Sequence, residues 1–161
     1  MKNRVHYGEF TLDYWVEQLI SEGIVLPEYQ RSFVWNKEQI KNLINSIGKD
    51  EFVPPITIGK LNDKNIIIDG QQRLTSIVLA YLNVLPSERR YKKTIKVEGD
   101  NEDDEIEEEH YFEWTINTLK ELGSNISEIR SALGNSDDYE ALGTHWVNDE
   151  FLKKHYLGFS Y

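Results

Sequence analysis

The chain has 161 residues, a length that suits one domain, and no cysteine, which excludes disulfides, thiolate metal sites and a cysteine nucleophile. Its net charge of -10 is uneven: residues 1–97 carry 14 Lys and Arg against 11 Asp and Glu, and residues 98–161 carry 4 against 17, so a uniformly basic nucleic-acid footprint is excluded. The opening Met1-Lys2-Asn3-Arg4 runs into mixed polar sequence instead of a signal-peptide core, and no stretch approaches the ~18 apolar residues of a membrane span, so the expected location is cytoplasmic.

Residues 10–22 (FTLDYWVEQLISE) read as a first helix, with Thr11 as N-cap and Leu12, Trp15, Val16, Leu19 and Ile20 at helical spacing. A short strand, Ile24-Val25-Leu26, stops at Pro27 and leads into the aromatic-rich, irregular segment Glu28 to Trp35. Asn36 is a suitable N-cap for a second helix over 37–49, with Ile40, Leu43, Ile44 and Ile47 on one face. Pro54-Pro55 enforces an extended approach to the strand 56–61. The turn 62–65 then makes a hairpin with Ile66-Ile67-Ile68, whose unbroken apolar run predicts a strand buried on both faces. Asp69-Gly70 breaks that run, and Gln71 to Leu85 reads as a third helix. A strand is expected near 91–97 and a mobile acidic loop over 98–110. Helices are expected over 111–122, 125–133 and 148–156. The apolar ending 157–161 resembles the start of a strand that has been cut off. The expected organisation is therefore an α+β core over 1–97, the acidic loop, and a helical, acidic extension over 111–161 within the same domain, truncated at its end.

The chemistry concentrates at Asp69-Gly70-Gln71-Gln72-Arg73. The first N–H groups of a helix have no partner within it and carry partial positive charge, which suits a phosphate. Gly70 removes a side chain where a ligand would approach closely. Gln71 and Gln72 offer amides, and Arg73 offers a fork that grips phosphate or carboxylate. Asp69 could hold Arg73, bind a magnesium ion or orient a water. Equally, it could simply cap the third helix. The turn lacks the Gly-Lys-Ser/Thr of a Walker A loop. A second cluster sets Gln30 and Arg31 between Tyr29 and Phe33/Trp35, a combination able to stack a base and hold a phosphate, or else to form core and an internal salt bridge.

The order Leu26-Pro27-x-Tyr29-Gln30-Arg31-x-x-x-Trp35, a helix, Pro54-Pro55-Ile56, then Ile68-Asp69-Gly70-Gln71-Gln72-Arg73-Leu74-Thr75 resembles the DUF262 family. That family is the N-terminal domain of GmrSD-type modification-dependent restriction and phage-defence proteins, and the likeness covers roughly residues 10–85. It implies a ParB/sulfiredoxin-like fold, a small mixed sheet with packed helices. It also implies a nucleoside triphosphate (ATP, GTP or CTP), with Mg²⁺ at Asp69, bound by Gln30, Arg31, Asp69, Gly70, Gln71, Gln72, Arg73 and Thr75. Asp69, Gln72 and Arg73 are then the candidates for hydrolysis, and Ser76 a further hydroxyl. DNA would be a partner only in a longer protein or with a partner subunit, such as a C-terminal nuclease domain. His6, His110, His145 and His155 are scattered and form no ββα-metal nuclease pattern. Two other readings compete. One is a metal-dependent DNA nuclease centred on Asp69, which would want further converging carboxylates. The other is a non-catalytic interaction module whose acidic run docks a basic partner.

Overall fold

The computed structural model describes residues 4–87, 92–98, 105–111 and 114–161, with the backbone alone for 92–98 and 105–111. Among these the chain runs β1 (Tyr7–Thr11), α1 (Leu12–Ile20), β2 (Ile24–Val25), α2 (Lys37–Gly48), β3 (Ile56–Leu61), β4 (Lys64–Asp69) and α3 (Gln71–Leu82). It continues through β5 (Val84–Pro86), β6 (Lys92–Glu98), β7 (Glu105–Tyr111), α4 (Ile116–Lys120), α5 (Ile126–Leu133), β8 (Tyr139–Ala141), α6 (Asp149–Lys154) and β9 (Tyr156–Ser160). The class is mixed α+β, as expected.

The main sheet has the order β1-β9-β3-β4-β2. Its pairs alternate in sense: β1–β9 and β3–β4 are antiparallel, β9–β3 and β4–β2 parallel. Local chemistry starts the helices as their sequences require. Thr11 accepts the Tyr14 N–H at 3.2 Å to open α1. Asn36 and Gln39 form a reciprocal capping box at α2, each accepting the other's backbone N–H at 2.9 Å. The apolar faces of α1, α2 and α3 then meet: Leu12, Trp15, Leu19, Ile40, Ile44, Leu74, Ile77 and Leu79 are all essentially fully buried. Each contributes roughly 1.5–3 kcal/mol of burial. Trp15 satisfies its indole N–H on the Leu157 carbonyl at 3.0 Å, which ties α1 to β9.

Four sequence expectations need correction. Ile68 is exposed, so β4 is not buried on both faces. Its neighbour β2 pairs only with Asn65 and Ile66, and beyond them the Ile67 carbonyl is met by the Gln30 side chain instead of a strand. The third helix ends at Leu82, because Asn83 takes a left-handed conformation (φ +58°) and accepts the Thr144 N–H at 2.7 Å, after which 84–86 pair with 139–141. The acidic run is not wholly a loop: Glu105–Tyr111 is a strand antiparallel to Lys92–Glu98, and residues 99–104 lie outside the described ones. Residues 156–160 are a strand inside the main sheet, between β1 and β3, so the segment after 113 is not purely helical. Its helices, Ile116–Lys120, Ile126–Leu133 and Asp149–Lys154, fall within the three expected ranges.

Candidate functional site

The register shifts between Ile58↔Ile67 and Thr57↔Asp69, with Ile68 as the extra residue of β4, and this brings Asp69, the last residue of β4, opposite Thr57. The chain then turns through Gly70 at φ +102°. A Cβ there would lie 2.4 Å from Ile56 Cδ1 and 3.0 Å from an Arg73 Nη, side-chain ends that would have to move, and the positive φ itself favours glycine. Gly70 is also the N-cap of α3 and supplies no side-chain cap to the helix N–H groups. Thus the first turn of a twelve-residue helix starts uncapped at the end of a sheet strand.

Gln30, Arg31, Trp35, Asp69, Gly70, Gln71, Gln72 and Arg73 line one depression of about 210 Å³ around this turn. The structure therefore brings Gln30, Arg31 and all of Asp69 to Arg73 together, and leaves Thr75 and the further hydroxyl Ser76 out. Both are buried, and the Ser76 hydroxyl donates to the Gln72 carbonyl at 2.6 Å. Trp35 joins the depression, one of the two alternatives its sequence setting allowed.

The glutamines hold the walls. Gln71 Nε2 donates to the Arg31 carbonyl at 2.8 Å, and Gln72 Nε2 donates to the Ser32 carbonyl at 3.0 Å. Gln72 Oε1 accepts the Val34 N–H at 3.0 Å, and Gln30 Nε2 donates to the Ile67 carbonyl at 3.1 Å. Segment 30–34 is thereby stitched to the end of β4 and the start of α3. From its other side the Phe33 N–H donates to the Trp114 carbonyl at 2.8 Å, and the two rings meet edge to face. Both glutamine side chains are buried, and their amides are spent on backbone groups of segment 31–34.

The charged residues are disposed differently. Arg31 is exposed. Arg73 is mostly buried, donates from one Nη to the Pro55 carbonyl at 3.0 Å, and keeps a buried Nε without a hydrogen-bond partner. The Asp69 carboxylate, 73% exposed, lies 3.7 Å from an Arg73 Nη, an ion pair without a short hydrogen bond. Pro55 was missed by sequence reasoning as a site residue, because its contribution is a main-chain carbonyl that no side-chain pattern reports. Its position just before β3 was nonetheless visible in Pro54-Pro55. Among the described residues no three His, Asp or Glu side chains gather as a metal site. Asp69 would have to share a magnesium ion with phosphate oxygens and water, the usual way that ion is held.

A family model described as the N-terminal domain of the GmrSD restriction endonuclease matches residues 16–157. The chain belongs to that GmrSD N-terminal domain family. An uncharacterized protein of Methanocaldococcus jannaschii is 29% identical to it over a stretch covering 40% of this chain and 16% of that relative. The matched part of the chain is thus a small fraction of the relative's length. No solved structure matches the chain. The GmrSD match runs from within α1 into β9, so it includes the turn, the 30–35 segment and the late strand that closes the sheet. Among the described residues no helix is long and apolar enough to cross a membrane.

Proposed function

We propose that this chain is the nucleotide-binding regulatory domain of a restriction and phage-defence protein, with a ParB/sulfiredoxin-like fold and a nucleoside triphosphate seated at the Asp69–Arg73 turn. One observation carries the reading: an uncapped helix N-terminus, floored by a glycine whose φ of +102° strains any other residue, opens into a depression flanked by Arg31 and Arg73. The unpartnered N–H groups that open a helix and an arginine guanidinium both suit phosphate oxygens, and here the start of α3 and Arg73 line the same depression. In this reading Gln30, Gln71 and Gln72 position the loop that carries Arg31, and Trp35 offers a ring for a base. Asp69 is open to water and supplies a carboxylate to Mg²⁺ or to an attacking water. Gln72, whose amide is held at both ends, supports catalysis by geometry. Thr75, buried beneath the turn, keeps no direct contact in the proposal. A complete protein would couple nucleotide occupancy to attack on DNA by a nuclease domain or partner.

The test is a thermal-shift panel of ATP, GTP, CTP and UTP, with and without Mg²⁺, on the chain and on Arg31→Ala and Arg73→Ala. Ligand at ~100 times its dissociation constant adds about 2.7 kcal/mol, a rise of roughly 5–10 °C for a domain of this size. Arg31→Ala, at an exposed position, keeps the unliganded melting temperature and loses most of the shift. No shift with any nucleotide at millimolar concentration refutes the proposal.

A further inference from the structure

A groove of about 480 Å³ runs across β1, β9 and the 50–55 segment that follows α2. The registers Tyr7↔Ser160 and Glu9↔Gly158 set Tyr7, Glu9, Tyr156 and Gly158 on one sheet face. Three aromatic rings stand open there: Phe52 is 86% exposed, Tyr7 76% and Tyr156 53%. Glu9, Asp50 and Glu51 supply negative charge, and among the described residues no Lys, Arg or His lines the groove. The far wall is fixed in place. Asp50 adopts φ +54°, and the Asp50 and Glu51 N–H groups donate to the carbonyls of Ile47 and Ser46 at 3.1 and 2.9 Å.

The main chain beside this groove is also unfinished. β1 is the edge of the sheet, and no strand covers its outer side among the described residues. His6 and Tyr161 exchange both backbone hydrogen bonds, at 3.0 and 2.8 Å. Antiparallel alternation then turns Gly8 and Phe10 toward β9 and leaves the N–H and C=O groups of Tyr7 and Glu9 pointing outward. Exposed edges of this kind accept an added strand.

We infer that this groove docks an extended, arginine- and lysine-rich segment of another protein, added to β1 as a further strand. Every second side chain of such a strand faces the groove. Its cations lie over the faces of Tyr7, Phe52 and Tyr156 and against Glu9, Asp50 and Glu51. The charge of the groove repels a nucleic-acid backbone, and its acidic rim disfavours a purely apolar partner.

The experiment is fluorescence anisotropy of a labelled dodecapeptide of alternating Arg and Thr with the whole chain, beside an alternating Glu and Thr peptide. The variants are Phe52→Ala and the double reversal Glu9→Lys, Glu51→Lys, all at exposed positions, with folding checked by melting temperature. The expected result is binding of the basic peptide alone, weakened at least about fivefold by Phe52→Ala and about tenfold or more by the reversal. Hydrogen exchange at the Tyr7 and Glu9 amides slows when the peptide binds. Three outcomes overturn the inference: no binding of the basic peptide; unchanged affinity in both variants, which puts the peptide on acidic residues elsewhere; or self-association of the chain abolished by Phe52→Ala, which makes a second copy the occupant.

Discussion

Replacing Gln72 with Met tests whether the glutamines of the turn build the site. Methionine keeps the side chain's length and volume, and the position is 7% exposed, so packing is preserved while the amide is lost. Two hydrogen bonds disappear, from Nε2 to the Ser32 carbonyl and from the Val34 N–H to Oε1, both at 3.0 Å. Each is worth ~1 kcal/mol net, and the part-buried Ser32 carbonyl is left without this partner at some further cost. Water reaches the exposed Val34, which limits the penalty there. The neighbouring anchors remain, Gln71 on the Arg31 carbonyl and Phe33 on the Trp114 carbonyl. The total is about 2–3 kcal/mol, or a melting temperature lower by roughly 5–10 °C for a chain of this length. Calorimetry reads the global effect, and hydrogen exchange at the Val34 amide reads the local one. A fall under about 2 °C, with Val34 protected as in the parent, would refute the assignment of Gln72 as the clamp on segment 32–34.

Gly70→Ala places a Cβ 2.4 Å from Ile56 Cδ1 at a φ of +102°, and the expected loss is about 1–3 kcal/mol in urea unfolding; parental stability would show that the turn does not hold this conformation. Glu128 accepts the backbone N–H and the hydroxyl of Ser124, both at 2.8 Å, and these bonds hold its carboxyl below the usual carboxylate range. A depressed folded-state pKa contributes stability that is present above the unfolded value and is lost as pH falls through the folded one. Glu128→Gln therefore lowers the melting temperature at pH ~7 and has little effect below pH ~3, an outcome read by paired thermal melts; equal losses at both would contradict it.

The elements most legible in the sequence were those whose signals are local. Asn36 and Gln39, three residues apart, announce a capping box, and the apolar spacing of 40, 43, 44 and 47 fixes the buried face of α2. The residues of the turn could be assembled because Gln30–Arg31 and Asp69–Arg73 each carry unusual chemistry. What the sequence concealed was pairing. The ending Leu157-Gly158-Phe159 reads as strand, yet nothing in it says that it lies between residues 7–11 and residues 56–57. Glutamate-rich 105–109 reads as solvated loop because composition outweighs context there, whereas the backbone of 105–111 pairs with that of 92–98. The roles of Gln71 and Gln72 were invisible for a related reason. Their amides look available for a ligand until segment 30–34 arrives from forty positions away to occupy them.

The position of β9 has a consequence for the order of events during synthesis. β1 and β3 emerge early but share a neighbour that is made last. At ribosomal rates of ~5–20 residues per second, roughly 5–20 s separate the completion of β3 from that of β9. Through that interval β1 lacks the strand that pairs with it among the described residues, and Ile56 and Thr57 of β3 lack theirs. The nascent sheet is then incomplete until β9 has been made. Contacts of such high sequence separation make closure slow and leave the early product exposed to aggregation and to chaperones until the last strand slides into the middle.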